Sequence, residues 1–516
     1  MEGLIRMKAL FLGVDIGTTK VKTVLFDEEG RELKLARRDT NPDCQRDGSA
    51  YQDMNLLWDM VAETIREAVQ SAGEYGEVKS IGITGQGDGL WLLDKDKNPL
   101  GNATLWIDGR AASYIEEWER EKIIRSSGRI AFSGSPLALG AWYYDREPEK
   151  MEEARYVVFC KDWIKYCLTG EIVTDASDLS DASLVDVWSR TYSRDLLAKF
   201  KMEQLCALLP PIRPSMEIIG TVTKKASEKT ALPPGIPVVN GMIDVAATAF
   251  GNGIFHGMDS CSIVGTTVYN EMVVNSLDSF HVEESSPSIV CYAEEGKWLM
   301  TMGTMLGTPN LDWFTHTFYK GEGCAFSFQE EEAKMEQVGA GAGGIIFHPF
   351  LGQGGERAPF VKPSAAGQFF GIKSNHTKEH LLRSVYEGIA YSMKDCYECF
   401  PNQPAAVRIA GGGSASEFWC QMFASCLNKT IQVTSGNEIG ARGSAILSAI
   451  ASGYFDNIHQ GMEQMIHVTK EFEPKPEENK IYEMNYELYK ELYHANWNLW
   501  DKRAEVKKII EELSKC

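Results

Sequence analysis

The stretch LGVDIGTTKVKTVLFD, from Leu12 to Asp27, decides the fold more than any other part of the chain. Two apolar, β-branched runs flank the turn Gly17-Thr18-Thr19, which predicts a tight β-hairpin. Its tip brings backbone N–H groups and hydroxyls together, an arrangement that suits phosphate oxygens. Lys20 and Lys22 add positive charge, and the Asp15 carboxylate could hold a phosphate-bound magnesium ion through water. The alternative is an ordinary edge hairpin with a polar tip.

Length and charge limit the classes of protein to consider. A chain of 516 residues exceeds what one hydrophobic core supports, so we expect two large domains with a ligand cleft between them. The formal charge of -20 opposes general binding to nucleic acid or to anionic membranes. The N-terminus lacks the pattern of a secretion signal, and no apolar run is long enough to span a bilayer. We therefore expect a cytoplasmic protein without nucleic-acid or membrane partners.

The cysteines indicate a reducing compartment rather than a metal site. The chain has 12 of them, spread too thinly for a secreted disulfide scaffold. Cys396, Cys399, Cys420 and Cys426 loosely resemble a zinc site. However, the first pair lies in a predicted helix and the second pair is too widely spaced, so we expect small buried hydrophobic side chains instead.

Alternating strand-like and helical segments predict an α/β fold in both halves of the chain. In the first half we predict helices at 55–71, 157–170 and 192–209, strands at 78–84 and 238–241, and a linker-like, proline-rich passage at 210–237. The second half resembles the first, because 261–269 again reads as a strand, a Gly-Thr-Thr turn and a strand, which suggests internal duplication. Further on we predict helices at 378–397, 416–427, 441–452 and 482–515, and a strand at 406–410.

Two segments of the first half contain the kinds of side chain expected in a polyol or sugar site. A predicted strand ends in the glycine-rich loop that contains Gln86, Gly87 and Asp88, whose amide and carboxylate can bind hydroxyls. LWIDGR follows and supplies an indole, a carboxylate and a guanidinium, from Trp106, Asp108 and Arg110. The alternative for each segment is a solvated loop beside a buried tryptophan.

A third segment, NGMIDVAA, places Asp244 between an extended run and the start of a helix rich in small residues. That position suits a general base, because phosphoryl transfer needs a carboxylate that accepts the proton of the substrate hydroxyl. The alternative is an ordinary helix-capping aspartate.

Two segments of the second half suit the phosphates and base of a nucleotide. Gly265-Thr266-Thr267 is a second turn of glycine and hydroxyls after a strand, and would form a clamp together with the first turn. In GGGSAS a strand breaks into glycines and opens a helix, whose N-terminal N–H groups attract anions. A glycine-rich connection without a ligand is the alternative for the latter.

Taken in order, these motifs resemble those of the FGGY family of carbohydrate kinases, over nearly the whole chain. DIGTTKVK is similar to the family's first phosphate motif, GQGDG and LWIDGR to its sugar-binding pair, NGMIDVAA to its catalytic segment and VGTT to its second phosphate motif. GGGSASEFWCQMFA and EIGARGSAI are similar to the adenosine motif and the helix beyond it. The most specific match is GQFFGIKSNHTKEHLLRSVYE, which fits the C-terminal signature of the family.

The resemblance implies an α/β fold with two ribonuclease-H-like domains of the actin, hexokinase and Hsp70 superfamily, which close on an interdomain catalytic cleft. The implied segments are an N-terminal domain at 1–252, an ATP-binding domain at 253–480 and a helical tail at 481–516 packed on the latter. It also implies ATP and Mg²⁺ as cofactors; a homodimer is one assembly to consider.

The resemblance also assigns roles to individual residues. Asp244 is implied as the catalytic base and Asp15 as the magnesium residue. The implied substrate residues are Gln86, Gly87, Asp88, Trp106, Asp108, Arg110 and Asp244. The implied ATP-binding residues are Thr18, Thr19, Lys22, Gly265, Thr266, Thr267, Gly307, Asn310, Gly412, Gly413 and Ser416.

One departure from the family pattern concerns the substrate. Many xylulose kinases have Met-His where this chain has Gly87-Asp88, and glycerol kinases have Arg-Glu there. A carboxylate at Asp88, with Asp108 near it, favours a neutral ligand over a sugar acid, and Gly87 is expected to enlarge or reshape the pocket. We therefore expect phosphorylation of a hydroxyl, mainly a primary one, on a ketopentose such as xylulose or a polyol such as erythritol. Glycerol, a sugar acid such as gluconate, and a non-catalytic sugar sensor or scaffold stay as alternatives.

Overall fold

The fold is seen in a computed structural model, which describes residues 8–70, 72–124, 126–278, 280, 287–319 and 326–514. Its strands in these ranges are β1 Lys8–Ile16, β2 Lys20–Asp27, β3 Glu32–Asp39, β4 Asp43–Cys44, β5 Ala50–Gln52, β6 Gly76–Gly85, β7 Trp91–Leu93, β8 Ala103–Thr104, β9 Tyr156–Val158, β10 Val185–Asp186, β11 Thr191–Tyr192, β12 Ile218–Thr221, β13 Pro237–Val239, β14 Ser260–Val264, β15 Val268–Val274, β16 Ser288–Cys291, β17 Trp298–Gly303, β18 Ile346–His348, β19 Gln368–Phe370, β20 Ala406–Ala410, β21 Thr430–Thr434 and β22 Val468–Phe472.

Helices alternate with these strands along the chain. The α-helices of the same ranges are α1 Met54–Val69, α2 Ala72–Tyr75, α3 Ala112–Arg120, α4 Pro136–Arg146, α5 Pro148–Glu153, α6 Cys160–Thr169, α7 Ala176–Asp181, α8 Arg194–Lys199, α9 Lys224–Thr230, α10 Asp244–Gly251, α11 Pro309–Phe318, α12 Phe328–Val338, α13 Lys378–Glu398, α14 Glu417–Leu427, α15 Ile439–Ala451, α16 Ile458–Met465 and α17 Pro476–Leu513. None of them is both long and apolar enough to cross a membrane, among the residues described.

The chain forms two compact units that interleave along the sequence. The first consists of Met1–Gly257, Val273–Leu299 and Ser435–His467, and the second of Met258–Met272, Met300–Thr434 and Val468–Cys516. The segments predicted at 1–252, 253–480 and 481–516 are contiguous, whereas these units are not. The domain boundaries and the interdomain cleft therefore stay predictions.

A six-stranded sheet in the order β12-β13-β6-β1-β2-β3 is the centre of the first unit. Strand β1 is antiparallel to β2, with Asp15 opposite Lys22, and parallel to β6 on its other side. All residues of β1 except Lys8 and Asp15 are buried, as expected of a strand covered on both faces. The hairpin predicted from LGVDIGTTKVKTVLFD is thus confirmed, at the middle of the sheet.

The larger sheet of the second unit repeats this topology. The strands that this unit contributes to the sheet lie in the order β17-β15-β14-β20-β21-β22. Strand β14 is antiparallel to β15 and parallel to β20, as β1 is to β2 and β6. Both units therefore have the ribonuclease-H-like arrangement of an antiparallel hairpin followed by parallel strands, which confirms the predicted α/β fold class and agrees with internal duplication.

Helix α15 packs its backbone directly on the sheet of the first unit, at glycines that leave no room for a side chain. A Cβ on Gly13 of β1 would lie 2.0 Å from the carbonyl oxygen of Ala441. A Cβ on Gly82 of β6 would lie 1.8 Å from the carbonyl oxygen of Ser444. Since no real Cβ tolerates such distances, glycine at both positions is what lets α15 approach the strands that lead to the predicted site.

Most of the predicted elements are present, and three predictions of local structure are wrong. The first of these errors concerns only a boundary: the helix predicted at 157–170 is present as α6 but begins at Cys160, because Tyr156–Val158 pairs with β7 as strand β9. The predicted helix at 192–209 is broken into α8 and a 3₁₀ helix at Glu203–Ala207. The passage at 210–237 is not a linker, since it contains α9 and strand β12, which forms the edge of the six-stranded sheet. Of the predicted helices, Ser71 and Lys515 lie outside the described residues.

The predicted helical tail corresponds to α17, whose two parts differ in burial. The first part is anchored by buried aromatic side chains, namely Tyr482, Tyr486, Tyr489, Tyr493 and Trp500. Tyr486 donates its hydroxyl to Asp395 at 2.9 Å, and Lys394 bonds Glu483 at 2.5 Å. Residues 501–514 are exposed.

Candidate active site

The first hairpin ends in a tight turn, closed by a hydrogen bond from the Gly17 amide to the Lys20 carbonyl at 2.9 Å. On β2, Lys22 forms an ion pair of 2.6 Å with Glu438, just before α15. Asp15 lies beside this pair, and removal from water raises its pKa to about 6 although Lys22 acts in the opposite direction. Burial lowers the pKa of Lys22, but the hydrogen bond to Glu438 and the negative charges of Asp15 and Glu438 together outweigh it, so the pKa is raised.

Asp15 has the surroundings expected of a carboxylate that binds through water. No donor among the described residues is hydrogen-bonded to its carboxylate, and Gly440 lies beside it. A Cβ on Gly440 would lie 3.2 Å from Asp15 Oδ2, so the glycine leaves space in front of the carboxylate. A hard divalent cation such as Mg²⁺ prefers carboxylate and water oxygens, and this site fits that donor set.

Thr18 connects the hairpin tip to two of the predicted sugar residues. Its hydroxyl donates to Gln86 Oε1 at 2.9 Å and accepts from Trp106 Nε1 at 2.8 Å. Trp106 is 39% exposed, so its indole nitrogen is fixed while a large part of the ring faces solvent. Thr19 is exposed, and its carbonyl accepts from the Thr40 amide at 2.9 Å. The structure thus brings Thr18, Gln86 and Trp106 into one chain of contacts.

Gly87 was predicted to enlarge or reshape the pocket, and the structure does not show the enlargement. A Cβ at this position would lie 2.2 Å from Ile243 Cδ1, so the space is already filled by the residue that precedes Asp244. Asp88 adopts a positive φ of 55°, which turns its side chain away from the strand direction. The glycine therefore brings the sugar-side loop and the segment before Asp244 into direct contact.

Asp88 is buried and paired with an arginine that the sequence did not single out. Arg129 Nη1 lies 2.9 Å from Asp88 Oδ2 and 2.6 Å from Asp181 Oδ2, and also bonds the Asp181 carbonyl. Burial raises the pKa of Asp88 well above its usual range, with Asp181 adding to the effect and Arg129 opposing it. The carboxylate is thus part of a shared ion cluster. The predicted repulsion of a sugar acid by Asp88 stays a prediction.

Asp108 and Arg110 bind each other. Arg110 Nη2 lies 2.8 Å from Asp108 Oδ2, and its guanidinium carbon lies 4.2 Å from the ring centre of Trp142. The second partner of Asp108 Oδ2 is the Ala50 amide, at 3.1 Å. Asp108 is fully buried, and both residues of this pair, which follow Trp106 in sequence, have partners within the protein. A direct role of the pair in substrate binding stays a prediction.

Asp244 is the first residue of α10, at the end of a loop that is held by several hydrogen bonds. Thr84 Oγ1 donates to the Met242 carbonyl at 2.7 Å, and the Ile243 amide donates to Ser177 Oγ at 2.9 Å. The carboxylate accepts from the Val245 amide at 2.7 Å. Removal from water, with the negative charge of Asp15 nearby, raises the pKa of Asp244 to about 7. A carboxyl group with a pKa near physiological pH is partly ionised there, and its ionised form can accept a proton.

A buried ion cluster supports this loop from behind, and sequence analysis missed it. The Lys161 ammonium is fully buried and contacts three carboxylates, those of Asp162 at 2.9 Å, Asp175 at 2.9 Å and Asp178 at 2.6 Å. Lys165 contacts Asp162 at 2.8 Å. A signal was present in the sequence, since KDWIK places two lysines one helical turn apart, shortly before DASD.

Helix α7 joins the cluster to the site. Along one short helix, Ser177 holds the Ile243 amide, Asp178 binds Lys161, and Asp181 binds Arg129. A Cβ on Gly87 would also lie 3.5 Å from Asp178 Oδ1. The position of both the Asp88 loop and the Asp244 loop therefore depends on α7.

In the second unit, the turn Gly265-Thr266-Thr267 is stacked on the start of α11. The Gly307 amide donates to the Thr266 carbonyl at 2.8 Å, and the Thr308 amide to the Gly265 carbonyl at 2.8 Å. A Cβ on Gly307 would lie 2.4 Å from the Gly265 carbonyl oxygen. Gly265 itself faces open space, so one side of the turn is accessible.

The other predicted nucleotide residues lie next to the same turn. Asn310 is buried and donates to the Gly307 carbonyl at 3.1 Å. A Cβ on Gly413 would lie 2.5 Å from Val264 Cγ1, whereas Gly412 faces open space. Ser416 caps α14 by accepting from the Trp419 amide at 3.0 Å. The structure thus places Gly307, Asn310 and Gly413 beside the turn or the strand that leads into it. Gly412 and Ser416 lie in the same short segment as Gly413.

Comparison with known proteins places this geometry in a family. Models of the N-terminal and C-terminal domains of the FGGY family of carbohydrate kinases match residues 10–251 and 263–452. The probable L-xylulose kinase of Pasteurella multocida is 28% identical over 94% of this chain and 98% of its own length. The L-xylulose/3-keto-L-gulonate kinase of Escherichia coli is 29% identical over 95% of this chain and 97% of its own.

A solved structure shows the same fold. The gluconate kinase of Lactobacillus acidophilus matches with a TM-score of 0.88, over 96% of this chain and 99% of its own, at 23% identity. The two family models together span most of the sequence. The chain therefore belongs to the FGGY family of carbohydrate kinases and is a carbohydrate kinase.

Proposed function

We propose that this kinase phosphorylates a primary hydroxyl of a small neutral ketose or polyol, with ketopentoses such as xylulose as the first choice. ATP is the phosphoryl donor, as in the family. The observation that supports this most is Asp244, a carboxylate with a pKa of about 7 at the start of α10. It lies near the ion cluster of Arg129, Asp88 and Asp181, whose groups can bind the rest of a polyhydroxylated substrate.

In this proposal Asp244 accepts the proton of the attacking hydroxyl, while other groups stabilise the transferred phosphoryl group. Thr18, Thr19 and Lys22 supply hydroxyls and positive charge at the first turn. Gly265, Thr266 and Thr267 supply the second turn, and the segments around Gly307, Asn310, Gly412, Gly413 and Ser416 receive the adenosine. Asp15 would hold Mg²⁺ through water, and the bound ion would supply positive charge for the phosphates.

The charges on the sugar side favour a neutral substrate. Arg129 is shared by the carboxyl groups of Asp88 and Asp181, so the one cation of this cluster already has two acidic partners. A carboxylate on the substrate would add another negative charge beside it. The names of the relatives include both a neutral ketose and a sugar acid, so the sugar acid belongs in every test.

The rival proposal is a sugar sensor or scaffold that keeps the fold without the chemistry. A sensor does not need a general base with a raised pKa next to a magnesium-binding carboxylate. Both Asp244 and Asp15 are present in this chain. Since sensors would bind sugars without consuming ATP, a turnover assay separates the two proposals.

The experiment is a coupled ADP-release screen of the purified full chain with Mg²⁺ and ATP. The panel contains D- and L-ketopentoses, polyols of three to six carbons, glycerol and aldonates such as gluconate. We expect turnover above the sugar-free rate for a neutral ketose or polyol. Turnover with an aldonate alone would refute the neutral-substrate proposal, and no turnover on the whole panel would favour the sensor.

A further inference from the structure

The guanidinium of Arg129 is paired with the predicted substrate residue Asp88. One of its nitrogens, Nη1, contacts Asp88 Oδ2 at 2.9 Å and Asp181 Oδ2 at 2.6 Å. Its charge, with that of Asp181, also acts on the predicted base Asp244.

The surroundings of Arg129 fix its direction. Its guanidinium carbon lies 5.1 Å from the ring centre of Phe132, so an aromatic ring supports one face. The Arg129 side chain is 17% exposed, against 5% for Asp88 and 6% for Asp181. Of the three charged groups, the arginine is therefore the one that most reaches solvent, where a ligand would arrive.

We propose that Arg129 is a specificity residue that selects ketoses over the corresponding polyols; this rests on the function proposed above. A guanidinium beside a carboxylate presents a donor next to an acceptor. An α-hydroxy ketone is the complement, because its carbonyl oxygen only accepts and its neighbouring hydroxyl can donate. Arg129 donates to the carbonyl, and Asp88 accepts from the adjacent hydroxyl.

A polyol fits this pair less well. Reduction of the carbonyl replaces a pure acceptor by a hydroxyl, whose own proton then needs an acceptor close to a cation. A site that forms hydrogen bonds with a particular substrate oxygen discriminates strongly against analogues that cannot form the same hydrogen bonds. The choice between ketose and polyol is thus assigned to Arg129, whereas proton removal is assigned to Asp244.

The test compares a ketose with its own alditol, xylulose with xylitol, in four proteins. These are the wild-type chain, Arg129→Met, Arg129→Lys and the control Arg146→Met, which removes an arginine that is 67% exposed on α4. For each we measure kcat and KM by ADP release, and ligand binding by calorimetry without ATP. ATP binding to the sugar-free protein is recorded as a check of folding.

We expect Arg129→Met to lower kcat/KM for xylulose by about 10- to 100-fold, mainly through KM, as for the loss of a charged hydrogen bond. The value for xylitol should fall by less than about 3-fold. Arg129→Lys, which keeps the charge but not the planar fork, should lie between. Arg146→Met should match the wild type.

Equal losses for ketose and alditol, or no loss for either, would overturn the proposal. If Arg129→Met does not fold, Arg129→Lys decides, since an unchanged ketose-to-alditol ratio in that variant would overturn it as well. If the wild type turns over no ketose or polyol of the screening panel, the proposed function fails. The calorimetric preference for xylulose over xylitol, and its loss in the Arg129 variants, then tests the specificity role separately.

Discussion

Replacing Lys161 by methionine tests whether the buried ion cluster holds the site together. Methionine keeps most of the side-chain volume but removes the ammonium that contacts Asp162, Asp175 and Asp178. Three buried carboxylates then share one cation, Lys165. Breaking a buried pair costs about 3–5 kcal/mol, because the remaining charges stay desolvated and uncompensated. For a unit of this size we expect the melting temperature to fall by roughly 6–10 °C.

The pH dependence of this loss has a definite sign. Burial already raises the pKa of Asp178 in the folded protein well above its usual range, although Lys161 opposes the effect. Without Lys161 the folded carboxyls bind protons more tightly than the unfolded ones. Stability contributed by a raised carboxyl pKa is present at low pH and lost as the pH rises. The difference between Lys161→Met and the wild type should therefore be larger at pH 8 than at pH 5.

The assay is thermal and urea unfolding of both proteins at these two pH values. Lys229→Met is the matched control, because Lys229 pairs with Asp59 at the surface of the same unit with 47% of its side chain exposed. Such a pair is worth about 1 kcal/mol or less. A Lys161→Met protein as stable as the control at pH 8 would refute the reasoning.

Three further predictions concern the site itself. Gly87→Ala should cost about 1–3 kcal/mol of stability and lower kcat, because its Cβ would lie 2.2 Å from Ile243 Cδ1. Gly73→Ala, with open space around it, is the control. Equal kcat in both variants would contradict the contact. The pH profile of kcat/KM should lose activity below about pH 7, since Asp244 must be unprotonated and its pKa is about 7; a profile flat down to pH 5 would contradict this. Trp106→Phe, which removes the 2.8 Å bond to Thr18, should raise the sugar KM by about 3- to 10-fold and leave the ATP KM unchanged; an unchanged sugar KM would exclude the bond.

The fold was largely predictable because its local signals agree with one another. The sequence patterns predict elements that the structure contains, namely alternating strands and helices, the two Gly-Thr-Thr turns and the long helix at 378–397. The errors at the start of 157–170 and in 210–237 have a common cause. Short strands such as β9 and β12 form only because a distant strand pairs with them, and no local pattern reports such pairing.

The site was predictable where a motif marks it, and only there. Asp15, Asp88 and Asp244 stand in glycine-rich or helix-opening contexts. Arg129 and Lys161 do not, because their importance comes from partners at distant positions such as Asp181 and Asp175. The contact at Gly87 was missed for a similar reason, since only the structure shows that Ile243 occupies the space a side chain would need.

Asp244→Asn tests the central claim most directly. The amide keeps the size of the carboxylate but cannot accept the proton of the substrate hydroxyl. With the neutral sugar that the wild type uses best, we expect kcat to fall by about 10²- to 10⁴-fold while ATP binding is retained. Asp59→Asn, a surface change 52% exposed, should keep wild-type turnover. Wild-type turnover by Asp244→Asn would contradict the account.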